Sequence, residues 1–227
     1  MSQYQELLQT ITNFRNCGNN SSFQTISALL KQLSDQLRES PSNCSVASFA
    51  PDLISSLIKF CNYKYQTNIE IDEDKIVFDI KQFSQNCLRS IQCNGNQAIQ
   101  SKLSHAGYAR AMIEYVEIRN KNQNNGNKIG NTFGYICNFL SELRNGRPQN
   151  LFQPNIPSFI PQLYLAVLLY EQIEDSGGNE DIDAYTFNIE GWQSNIRNNA
   201  KTAKFLLLNF SQDSTNPKNR SKLVFKI

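Results

Sequence analysis

The feature that most constrains this chain is a stretch, 76–119, in which apolar residues recur every three or four positions through three runs separated by short polar turns. Ile80, Phe83, Cys87, Leu88 and Ile91 fall on one stripe of a 3.6-residue helix. Ala98, Ile99 and Leu103 supply a shorter stripe, and Ala111, Met112, Tyr115 and Val116 a third. Between the first two, Cys93-Asn94-Gly95-Asn96 predicts a stop and a start: Gly95 in the left-handed conformation that ends a helix, and Asn96 as the side-chain cap of the next. Gly107 separates the second run from the third. A helix with one apolar stripe cannot bury it alone, so each needs neighbours, and the expected class is all-α with no substantial sheet.

The same spacing runs through the rest. Leu7, Leu8, Ile11 and Phe14 predict a short first helix. Ser22 can cap a second, whose stripe is Ile26, Leu29, Leu30, Leu33 and Leu37 and which ends before Ser40-Pro41. Pro51 suits the first turn of a third, buried through Leu53, Ile54, Leu57, Ile58 and Cys61. The acidic residues of 70–74 read as a hinge, and the alternation of Ile69 and Ile71 leaves a short strand at 67–71 open. Downstream, 120–128 has nothing to bury and reads as a solvated loop. Ile129, Phe133, Ile136, Cys137, Leu140 and Leu143 then repeat the central stripe, and an apolar helix follows over Gln162–Glu171. A shift of about 52 residues lays Asn86 on Asn138, Leu88 on Leu140, Ile91 on Leu143 and Gln97 on Gln149, an internal repeat of solenoid length. Residues 176–191 read as an acidic, peripheral insertion, and Ile196, Ala200, Ala203, Leu207 and Phe210 as a further stripe. The expected organisation is one domain over 1–227: helices at 4–61, repeat-like units at 76–119, 129–171 and 192–210, and a basic tail at 211–227.

Composition excludes little by itself but removes several chemistries. A formal net charge of +2 demands neither nucleic acid nor an anionic membrane. The start has no basic lead and apolar core of signal-peptide type and no window reaches membrane-span length, so the expectation is an intracellular, cytoplasmic protein without membrane insertion. Six cysteines, several on apolar stripes, read as buried reduced thiols; Cys87 and Cys93 do not have metal-site spacing. His105 is the one histidine, which leaves no pair for a metal or catalytic site. The glycines at 126, 130 and 134 lack the strand and the Gly-Lys-Ser/Thr ending of a phosphate loop. The acids between Glu171 and Asp183 miss calcium-loop spacing. No catalytic residue, metal or cofactor is expected. Asn and Gln make up about a fifth of the chain, so single Asn residues carry little weight.

Cys87-Leu88-Arg89-Ser90-Ile91, followed by Gly95-Asn96-Gln97, Leu103, Gly107 and the helix with Met112-Ile113, resembles the end of one armadillo repeat and the start of the next. Ile196-Arg197-Asn198-Asn199-Ala200 with Leu206-Leu207-Leu208-Asn209-Phe210-Ser211 is similar to that family's long third helix. The order of units, with the helix Leu163–Tyr170 after them, most resembles the amino-terminal half of ataxin-10-like proteins. The likeness spans about 76–211 and departs at the insertion 176–191 and the Asn-rich loop. It implies a right-handed superhelix of armadillo-like repeats and a non-enzymatic scaffold or adaptor that grips another protein, as an extended peptide segment, along the long helices. By the same resemblance Asn86, Arg89, Asn138, Trp192, Asn195 and Asn199 are the partner-binding candidates, although the family's Trp-x-x-x-Asn is not reproduced, since Ile196 stands four after Trp192. Two further functions stay open beside it: regulation of a small GTPase or of cytoskeletal assembly, and nucleic-acid binding through Lys201, Lys204, Lys218, Arg220, Lys222 and Lys226. The second lacks a multi-aromatic stacking platform nearby.

Overall fold

The computed structural model describes residues 3–14, 20–63, 71–120, 126–187 and 194–208. They form eleven helices and no strand: α1 (Gln3–Thr12), α2 (Asn20–Glu39), α3 (Pro41–Phe49), α4 (Leu53–Cys61), α5 (Ile71–Asn94), α6 (Gln97–Ala106), α7 (Tyr108–Asn120), α8 (Gly126–Asn145), α9 (Leu163–Asp175), α10 (Gly178–Phe187) and α11 (Ser194–Leu208). The all-α class follows from the stripes, which pack as their spacing requires: Leu88, Ile91, Leu140 and Leu143 all lie in one apolar core.

Local chemistry sets the helix ends. Asn96 caps α6 as expected, its Oδ1 accepting the Ile99 N–H at 3.1 Å. Gly107, at φ 90°, takes the left-handed turn that ends α6. Gly95 does not: left-handed glycines among the described residues are Gly107, Gly146 and Gly177. Gly95 is needed for space instead, because a Cβ there would stand 2.5 Å from Ile99 Cγ2 and 2.7 Å from the Ile91 carbonyl.

Several boundaries differ from expectation. Helix α2 begins at Asn20, so Ser22 lies inside it and does not precede it. Helix α3 appears where no stripe announces one; it starts on Pro41 at its first turn and buries only small groups, Cys44, Ala47 and Ser48. Pro51 stands before α4, not in its first turn, and Asp52 makes the bend at φ 57°. The acidic hinge is largely the start of α5, since 71–74 are helical. Of the loop at 120–128, Asn120 closes α7 and Gly126–Lys128 open α8, while 121–125 lie outside the described residues, as does most of the strand considered at 67–71. The segment read as a peripheral acidic insertion contains α10. Ile182 there is buried, Tyr185 meets Phe133 edge-on at 5.4 Å between ring centroids, and Gly178 sits against Ile113 and Ile173.

Besides helices adjacent in sequence, several neighbours in space are three helices apart. Among the long helices, α2 packs on α5 and α8 on α11. Helix α5 meets α8 through side chains: Gln85 Nε2 donates to Thr132 Oγ1 at 3.0 Å and Gln92 Nε2 to Glu142 Oε2 at 2.7 Å, and the two sets of numbers rise together, so these helices run parallel. Helices α8 and α11 are also parallel, Gly130 lying on Ile196 and Gly134 on Asn199. Likewise α1 touches α4, α4 touches α7, α7 touches α10, and α6 touches α9. Lys102 of α6 reaches α3, donating to the Ser48 carbonyl at 3.4 Å.

Candidate partner-binding surface

With their apolar sides turned inward, the long helices present polar residues on another side. Asn86 and Arg89, one turn apart on α5, are half-buried, and Asn138 on α8 is exposed. Arg89 lies over the ring of Tyr135, its guanidinium carbon 3.8 Å from the ring centroid. Guanidinium and aromatic face attract electrostatically at this distance. Among the described residues Arg89 has no carboxylate partner. Tyr135 precedes Asn138 by one turn, so the stack links the two expected positions across the α5–α8 seam. Sequence reasoning missed Tyr135; its one signal was an aromatic residue on the polar side of the α8 stripe.

Asn199 belongs to the packing. Its Nδ2 donates to the Gly130 carbonyl at 2.7 Å, and the Cys137 Sγ points to its backbone oxygen at 3.7 Å, so its amide donor ties α11 to α8. Trp192 lies outside the described residues; Asn195 is in the α11 backbone and its side chain lies outside them. Of the six expected positions, the structure therefore brings together Asn86, Arg89 and Asn138 on adjoining helices and gives Asn199 a structural bond.

The unforeseen residue is Arg147. It is 8 % exposed, and its Nε and Nη2 grip Glu142 at 3.0 and 2.6 Å. Nη2 and Nη1 also donate to the carbonyls of Gln92 and Gly95, at 3.0 and 2.9 Å. Those carbonyls sit where α5 runs out of its own amide donors, so Arg147 and Gln100, whose Nε2 donates to both at 2.8 Å, close the end of α5. An antiparallel bridge between Arg147 and Phe159 holds the connection to α9 in place.

Other candidate chemistry resolves into packing. Cys44, Cys61, Cys87, Cys93 and Cys137 are free thiols; Cys17 lies outside the described residues. Burial pushes Cys44 up to about 11 and both Cys61 and Cys137 to about 12, and lifts Cys87 and Cys93 above the ordinary thiol value, so all are neutral at physiological pH. His105 is exposed, its Nδ1 2.8 Å from the Ser101 carbonyl. Among the described residues no three of His, Cys, Asp and Glu gather to hold a metal, and no single helix is long and apolar enough to cross a membrane. Lys204, one of the cations considered for nucleic acid, is paired with Asp183 at 2.7 Å, and Lys218, Arg220, Lys222 and Lys226 lie outside the described residues.

Comparison of the chain with protein families, curated proteins and solved structures finds no match.

Proposed function

We propose that this chain is a non-enzymatic, armadillo-like scaffold that holds an extended segment of a partner protein across its long helices. The observation that carries the reading is the packing of helices three apart in sequence, α2 on α5 and α8 on α11, with α5 joined in parallel to α8 by side-chain bonds. Burial keeps the same register. Ile80, Ser84, Cys87, Leu88 and Ile91 are buried on α5, and so are the residues 52 further on (80 to 132, 91 to 143): Thr132, Ile136, Phe139, Leu140 and Leu143. A shift of 54 from α2 (26 to 80, 37 to 91) matches Ile26, Leu30, Leu33, Ser34 and Leu37 to those α5 positions. Stacked units of this kind offer a continuous polar face on which equivalent residues line up.

On that face Asn86 and Asn138 offer amides that can both donate to and accept from a peptide backbone, and Arg89 offers a fork for a carbonyl or an acidic side chain. The test starts with affinity capture from native lysate and identification of the bound protein, followed by titration of a peptide from it. The Asn86→Ala, Asn138→Ala double variant should weaken binding by about 1 to 3 kcal/mol, each net hydrogen bond contributing about 0.5 to 1.5. Its unfolding free energy should stay within about 0.5 kcal/mol of the parent, as for other substitutions on polar surfaces. Unchanged affinity would move the interface off this face, and a large loss of stability would make the two amides structural.

A further inference from the structure

Away from the long-helix face, α1, α2, α4 and α5 meet around a cavity of about 480 Å³. That is within the range of small-molecule sites. Two aromatic pairs wall it, Phe14 with Phe60 at 6.0 Å and Phe23 with Tyr63 at 5.7 Å between ring centroids. Ile26 and Ile80, both buried, complete the apolar lining. Thr12, Asn13, Ser56, Lys59 and the Tyr63 hydroxyl supply its polar groups. Among the described residues of the lining, Lys59 is the one that carries a charge; it is exposed, and no described carboxylate pairs with it. Ser56, on the same helix one turn earlier, lines the cavity with a hydroxyl that has no hydrogen-bond partner among the described residues.

This division of labour specifies a ligand class. Aromatic walls favour a flat or chain-like apolar body, since such a body loses its water and gains ring contacts there. An unpartnered ammonium beside them favours a negative group at the outer end, where it need not be desolvated fully. We propose that this cavity binds a small amphipathic organic anion, its apolar body between the aromatic pairs and its acidic group at Lys59 and Ser56. The site is independent of the partner-binding face.

Fluorescence titration of the full chain with 8-anilinonaphthalene-1-sulfonate and with its uncharged parent, N-phenyl-1-naphthylamine, tests both halves. The sulfonate should bind saturably, one per chain, about two- to fivefold tighter than the uncharged probe, the advantage expected of one exposed ion pair. Lys59→Gln should remove that advantage and leave the uncharged probe unaffected. Ser56→Phe, which adds a ring to the lining, should abolish binding of both, with the helical circular dichroism of each variant confirming that it is folded. Equal affinity for the two probes, or a sulfonate affinity indifferent to Lys59→Gln, overturns the anionic assignment. Absence of saturable binding to the parent chain, or binding that survives a folded Ser56→Phe, overturns the site.

Discussion

A guanidinium with less than a tenth of its surface in water must find acceptors inside the protein, and Arg147 finds them on three segments at once: Glu142 on α8, the end of α5, and the Pro157 carbonyl at 3.4 Å. Removing it takes the cation from the Glu142 carboxylate, which keeps Gln92 as a donor, and leaves the two inward-facing carbonyls without their charged donor, with Gln100 as the side chain still bonded to both. Arg147→Ala should therefore lower stability by about 2 to 4 kcal/mol in denaturant unfolding, somewhat below the cost of breaking a fully buried pair because Glu142 keeps contact with water. The thiols make a second prediction at this scale. Cys44, Cys61 and Cys137 ordinarily ionise at 9.0, but burial raises them to about 11, 12 and 12 in the folded chain. The unfolded chain therefore gives up these protons first as pH rises. Their neutral burial contributes stability that is intact below about 9 and is lost progressively between there and about 12. A series of melting midpoints should be insensitive to these thiols up to about pH 8.5 and then fall, and the Cys61→Ala variant should fall less steeply.

At the scale of the element, the α8–α11 contact rests on small residues. A Cβ on Gly130 would come within 3.1 Å of the Ile196 Cα, a backbone atom that cannot step aside. One on Gly134 would meet only the Asn199 Nδ2, at 3.3 Å. Gly130→Ala should push the helices apart and cost about 1 to 3 kcal/mol. Gly134→Ala meets a side-chain amide that can give by a few tenths of an ångström, and should cost less than Gly130→Ala, because Ala also recovers up to about 1 kcal/mol of helix propensity. Thermal unfolding of the two variants side by side reads the difference, and equal effects would mean that the close approach is not at Gly130. These glycines look in the sequence like a degraded phosphate motif; their role depends on a helix more than sixty residues away, which no local pattern announces. The same limit hid α3 and α10. Helix α3 buries Cys44, Ala47 and Ser48, too small to make a stripe, and α10 is dominated in sequence by acids, with Gly178, Ile182 and Thr186 buried. Where a stripe of large residues exists, as on α2, α4, α5 and α8, helix and buried side were both legible.

At the scale of the whole molecule, the shift of 52 was legible because the two helices it relates carry large apolar residues in the same phase. The earlier shift of 54 was not, since it aligns Leu30 and Ser34 with Ser84 and Leu88, so burial is kept while residue type is exchanged. The candidate site was legible to the same extent. The phase of Asn86 and Asn138, two residues before the buried Leu88 and Leu140, places them off the core side. The pairing of Arg89 with Tyr135 depends on how α5 slides along α8, which phase does not contain. Asn199 could have been assigned to the packing from sequence, standing three after Ile196 and four before Ala203 on the buried side.

The order of helix contacts also bears on how the protein opens. Helix α5 touches α2, α3, α4, α6 and α7 and shares side-chain bonds with α8, whereas α11 packs chiefly on α8 and α10 and α1 on α2 and α4. A stack joined mainly through adjacent members loosens from its ends inward. Amide hydrogen exchange should accordingly be slowest in α5, α7 and the second half of α8 and fastest in α1 and α11; uniform protection across all eleven helices would indicate one indivisible cooperative unit. If the gradient holds, a segment laid along the long helices would act as a splint. Its largest effect on exchange would appear in α11, at the weaker end, and not in α5, where its proposed anchoring residues sit.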